Sequence, residues 1–212
     1  MALMIGLVWL LTFTAYARIN GVTLTGRRSL FRFHPLAGWP LLILVVLLAG
    51  CATPAQKAAR EQQRAAAARN LFDQTTRQFH LPAGEAAGVE RGQLLQQAAA
   101  GYERLLRQYP DQPLWCAMAE RSLGNVRATQ GRLDEAVRLY ACVAERYPTQ
   151  DWEILQAWKS AADLLWEAGR PAAAGAFDRK IVKRFDQPDQ PAVIMLIVRA
   201  VQRRLAGATA HP

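Results

Sequence analysis

Three cysteines and three histidines are the residues of this 212-residue chain best suited to covalent or metal chemistry. Cys51 ends the stretch "LLAGC", with nine apolar residues over 41–49 before it and the polar "ATPAQKAAREQQRAAAARN" after it. A cysteine acts as a nucleophile through its thiolate, so one at this apolar-to-polar join is placed to receive a group at a membrane boundary. Cys116 and Cys142 lie in the more polar body of the chain and form a second sulfur pair. The histidines, His34, His80 and His211, are too dispersed for an HExxH or a clustered ligand set. No glycine-rich phosphate loop occurs, and no pair of carboxylates stands out from ordinary helix-surface charge. The chain is therefore expected to be no enzyme, with no catalytic residues, no metal and no cofactor apart from a group attached at Cys51.

The segment before Cys51 is what would position it. The apolar run is shorter than the roughly 20 residues a bilayer-spanning helix needs and has the length of a signal-peptide core. Arg27, Arg28 and Arg32 precede it as the positive region that stays on the cytoplasmic side. Leu48-Ala49-Gly50-Cys51 resembles the lipobox of bacterial lipoproteins, in which small residues admit the peptidase and the cysteine is acylated to become the mature amino terminus. That resemblance implies a covalent lipid at Cys51. Because Ala52 is not an aspartate, it also implies anchoring on the periplasmic face of the outer membrane. Acyl chains gaining about 0.8 kcal/mol per buried methylene make a durable tether. The alternative is a transmembrane helix ending in a buried cysteine, which would leave an inner-membrane protein held by 1–17 and 41–50. Residues 1–26 carry another apolar stretch, explained either by initiation near Val22 or Leu24 or by an additional membrane helix. "RRSLFR" loosely matches the twin-arginine pattern, so the export route stays open.

The formal charge is +9, of which Arg18, Arg27, Arg28 and Arg32 supply +4 and the remainder of the chain +5. In that remainder Arg and Lys alternate with Glu and Asp along helical patterns, which argues against nucleic acid as a partner. Residues 51–70 are mostly Ala, Gln and Arg and read as a lipidated, partly helical linker without core residues. From Leu71 the pattern is that of a folded domain, taken to 206, with a tail over 207–212.

Within it, segments superpose at a spacing of 38: Tyr102, Tyr140 and Asp178 share one position, Tyr109, Tyr147 and Phe185 another, and Ala98, Ala136 and Ala174 a third. Each unit holds two helical stretches. "LWCAMAERSLGNVRATQ" is followed by "RLDEAVRLYACVAERY", and "WEILQAWKSAADLLWEA" by "PAAAGAFDRKIVKRF". Gly131 and Gly169 fall just past a helix end, where a left-handed backbone suits glycine, and Pro148 stops the helix before it. Leu105, Leu123, Leu133, Val137, Leu155, Leu164 and Ile181 are the expected core, at about 1.5–3 kcal/mol each.

Leu123-Gly124, Gly131, Ala136, Tyr140 and Pro148 together resemble a tetratricopeptide repeat, well over 115–148 and less closely over 152–186. There Ala161-Ala162 replace Leu-Gly, Phe177 is shifted by one and Asp186 replaces the proline. The long period and the "QYP", "RYP" and "RF" endings resemble repeat lipoproteins of the outer membrane, of the BamD and CpoB type, over 92–205. The resemblance implies an all-α fold of tetratricopeptide-like antiparallel helix pairs in a short solenoid with a C-terminal capping helix. It also implies a peptide-binding groove along the first helices, with Arg121, Asn125, Lys159, Asp163 and Trp166 as candidates. Arg121 and Asn125 resemble half of the carboxylate clamp some family members use.

In the repeat register Cys116 and Cys142 fall at similar heights, so they either form a disulfide worth about 3 kcal/mol or remain separate buried thiols. On the last helix Ile194, Ile197, Val198, Val201 and Leu205 form one apolar side. Val193, Met195 and Leu196 widen that side, and are either absorbed by the preceding repeat or left as an exposed patch. The resulting expectation is a lipid-anchored envelope adaptor whose partners are another envelope protein or peptide and, through its lipid, the membrane. An accessory or enzyme of peptidoglycan metabolism is the alternative in another class. Partner identity and oligomeric state stay open.

Overall fold

In the computed structural model of the chain the described residues are 53–210, with side chains described as far as 207. Cys51, the export signal and His211 lie outside them. Among the described residues there is no strand, and no helix is long and apolar enough to cross a membrane. The domain is all-α.

Helix α1 spans Pro54–Thr75. Thr53 caps it reciprocally with Gln56: the Gln56 amide donates to Thr53 Oγ1 at 3.3 Å and the Thr53 amide to Gln56 Oε1 at 3.2 Å. Pro54 then occupies the first helical turn, where its missing N–H costs nothing. The expected linker boundary at 70/71 falls inside this continuous helix. Its last turns bury Ala68, Phe72 and Thr75, and Arg64 ties its middle to Asp111 (Nε to Oδ2, 2.6 Å). Alanine-rich sequence favours helix over coil, and Ala68, Leu71, Phe72, Thr75 and Arg64 dock it on the rest of the domain. A π-helical turn, Thr76–His80, leads into the short α2, Leu81–Glu85.

The remaining helices are α3 Gly88–Gln108, α4 Pro113–Thr129, α5 Leu133–Arg146, α6 Asp151–Glu167, α7 Pro171–Phe185 and α8 Ala192–Ala210. Each packs on the next in sequence, α4 with α5 and α6 with α7 most closely. The spacing of 38 is visible in the connections. After α4 the Gly131 amide bonds Ala128 O and Arg132 bonds Arg127 O; after α6 Gly169 bonds Trp166 O and Arg170 bonds Leu165 O. Gly131 and Gly169 have φ of 74° and 70°, the left-handed geometry these helix ends require. The turns after α3 and α5 also match, Gln112 bonding Tyr109 O and Gln150 bonding Tyr147 O at 3.0 Å in both. After α7 the pattern changes where Asp186 stands in place of proline, and a longer connection leads to α8.

One apolar cluster surrounds Tyr102, Leu105, Leu123 and Val126 and includes Phe72 of α1. The other surrounds Ile154, Leu155, Ile181 and Phe185 and takes in Ile194, Val198 and Val201 of α8. Tyr147 packs against both. Of the expected core, Leu105, Leu123, Leu155 and Ile181 are buried, whereas Leu133, Val137 and Leu164 are half-buried at its margin. Close approach of α4 and α5 depends on Gly124, where a Cβ would lie 2.6 Å from the Tyr140 ring.

Candidate functional site on the first helices

Helices α4 and α6 lie against each other, while α5 and α7 make no comparable contact, so the first helix of each pair forms one side of the array. Residues at alternating steps of four and three make a stripe on each. On α4 it runs Leu114, Met118, Arg121, Asn125; on α6 it runs Trp152, Gln156, Lys159, Asp163, Trp166. The stripes share the spacing of 38, and the structure brings all five candidate groove residues onto them. At one end Leu114 and Trp152, equivalent residues of consecutive pairs, are 45% and 44% exposed.

Most of the polar groups in the stripes are already engaged. Arg121 Nε donates to Glu153 Oε2 at 2.6 Å, and Glu153 is buried. Asn125 Oδ1 accepts from the Tyr140 hydroxyl at 2.7 Å, so the half-clamp suggested by Arg121 and Asn125 is turned inward, toward structural partners. Lys159 Nζ bonds Asp163 Oδ2 at 2.5 Å, and Arg204 of α8 bonds Asp163 Oδ1 at 2.6 Å. Burial works to raise the Asp163 pKa, but the hydrogen bonds from Lys159 and Arg204 outweigh it and leave it below the usual value. Arg204 also grips buried Asp178 of α7 and lies over the Trp166 ring, 6.0 Å from its centroid. The hydrogen bond to Asp178 raises the Arg204 pKa further, so the guanidinium stays charged.

A second polar group was invisible in the sequence. In the π-helical turn His80 Nδ1 lies 2.8 Å from the Tyr102 hydroxyl, which is also 2.9 Å from Thr76 Oγ1. Burial, aided by the charge of Arg121, lowers the His80 pKa, and burial raises that of Tyr102. The repeat register held one usable signal. Tyr102, Tyr140 and Asp178 occupy one repeat position, and each reaches across to a polar partner: His80 and Thr76, Asn125, and Arg204.

Cys116 and Cys142 are both free thiols in this structure. Arg146 faces Glu120 and Tyr140 faces Gly124 and Asn125 across the α4–α5 pair, which sets Cys142 level with residues near Leu123. Cys116 is then about seven residues, or about 10 Å, away along the axis, beyond the roughly 4.4–6.8 Å Cα separation a disulfide tolerates. Of the two alternatives the sequence left open, this offset favours separate thiols. Cys116 instead bonds its sulfur to Tyr109 O at 3.1 Å. Burial raises the pKa of both thiols, more than neighbouring groups offset.

Among the described residues no three His, Cys, Asp or Glu side chains are grouped to hold a metal. A recess of about 470 Å³ between α3 and the α4–α5 turn shares no residue with the stripes, and its Arg127 is closed off by Glu103 at 3.0 Å. The stripes therefore combine partly exposed apolar side chains at one end with a band of paired charge. Compared with known proteins, the chain matches no family model, no curated protein and no solved structure.

Proposed function

We propose that this protein is a lipid-anchored adaptor of a bacterial envelope, holding another protein or peptide on the first helices of a tetratricopeptide-like array that α8 caps. The observation that carries the reading is the in-register repetition of the stripes, with Leu114 and Trp152 exposed at equivalent positions 38 residues apart. Large apolar side chains kept partly in water at the same place on consecutive units support a contact surface. The paired charges beside them are prefixed, so a ligand meets a surface that has little side-chain entropy left to lose. The anchor follows from Cys51 within Leu48-Ala49-Gly50-Cys51, with the helix that begins at Pro54 lifting the array from the membrane.

Two measurements test this. Labelled palmitate is incorporated by the natural chain and lost in Cys51→Ser, with unprocessed precursor accumulating; unchanged labelling contradicts the anchor. Replacing Leu114 and Trp152 together by serine leaves helicity intact and abolishes recovery of the partner that co-purifies with the natural chain. Undiminished recovery contradicts the contact surface.

A further inference from the structure

Helix α8 is covered on one side only. Ile194, Val198 and Val201 are buried against the preceding pair, and the opposite face presents Val193, Leu196, Arg199, Ala200 and Arg203 to solvent. Val193 is 52% and Leu196 67% exposed, whereas Met195 is half-buried, so of the three widening residues two are left as an exposed patch. We propose that this face of α8 docks an amphipathic helix of another protein, one that carries carboxylates beside its apolar stripe.

The charge pattern of the domain selects that partner. Its helix–helix seams repeatedly join an arginine to a carboxylate across the gap: Arg127 to Glu103, Arg146 to Glu120, Arg184 to Asp151, Arg204 to Asp163. Arg199 and Arg203 have no ion pair or hydrogen bond among the described residues, and α8 contains no acid. An incoming helix with Asp or Glu spaced to meet them completes the pattern seen at those seams. A second copy presenting the same face sets arginine against arginine, which is unfavourable. A helix lying on lipid needs an apolar stripe along its length, whereas this one ends at Ala200, and Arg203 and Gly207 continue it. Along this face Val193 and Leu196 are followed by Arg199 and Arg203, so the apolar side chains and the guanidinium groups occupy successive turns. This face is distinct from the stripes of α4 and α6, and the inference does not depend on them.

The test is a photo-activated cross-linker in place of Leu196 in the full chain, in living cells, with the adduct mapped to residues. The result expected is an adduct to a different polypeptide, within a helical segment bearing carboxylates. Its yield should fall at least tenfold in Arg199→Glu/Arg203→Glu, return when the mapped carboxylates are changed to lysine, and be unaffected by Arg170→Glu on another surface. Because Arg199 and Arg203 have no internal partner, the double variant keeps its helicity and thermal midpoint. Absence of any adduct, adducts with lipid alone, adducts with a second copy alone, or yield indifferent to the charge reversal would each overturn the proposal.

Discussion

Single side chains in this domain are placed so that protonation changes its stability. Glu120 is 1% exposed, and its carboxylate accepts from Arg146 Nη1 at 3.0 Å and meets the Tyr147 hydroxyl. Burial outweighs the pull of Arg146 and raises its pKa above the usual 4.5. An acid with a raised folded-state pKa favours the native state while protonated. Its contribution is complete below 4.5 and is lost as pH rises through the folded value. Urea midpoints measured from pH 4 upward should therefore show a falling component in the natural protein that is absent in Glu120→Gln. His80 works in the opposite direction: its lowered pKa means that stability is lost as pH falls below 6.5 through the folded value. Its ring signals in a nuclear magnetic resonance titration should move below pH 6.5, and a midpoint at or above 6.5 contradicts the burial account. Neither residue announced itself in the sequence. A lone Glu between Ala119 and Arg121 reads as surface charge, and only the register across α4 and α5 turns it inward.

At the scale of elements, most of the helices were legible because glycine, proline and apolar spacing agree. Gly131 and Gly169 end α4 and α6, Pro148 follows α5, and the repeated Tyr109 and Tyr147 close α3 and α5. The helical character of α1 was legible, but its docking was not, since an Ala–Gln–Arg segment has almost no hydrophobic period and contacts such as those of Phe72 and Arg64 are set by packing. Phe72→Ala should cost about 3–5 kcal/mol in chemical denaturation, whereas a tether that only links the body to a membrane predicts no change. Gly124→Ala should cost about 1–3 kcal/mol, because the new methyl group must displace the Tyr140 ring. A double-mutant cycle with Tyr140→Leu should recover part of that loss, and strict additivity would contradict the close contact. Whether Cys116 and Cys142 pair was left open by the sequence, because the pattern identifies the two helices but leaves their axial offset free by several residues.

For the whole molecule, the sequence carried the all-α helix pairing and five residues of the stripes, Arg121, Asn125, Lys159, Asp163 and Trp166, but not the apolar Leu114 and Trp152 at their ends. It carried less about what those residues do. Arg121 and Asn125 looked available for a ligand, yet Glu153 and Tyr140 hold them, and partners 32 and 15 residues away are set by packing of separate helices. The apolar ends of the stripes remain in water, and they bear the account's central claim that the first helices form the contact surface. The most direct measurement compares photo-cross-linking from Trp152 with that from Arg138 on α5, in the full chain within cells. A mapped protein adduct from Trp152, with at most background yield from Arg138, is the predicted result. Equal yields at the two positions, or an adduct from Arg138 alone, would contradict it.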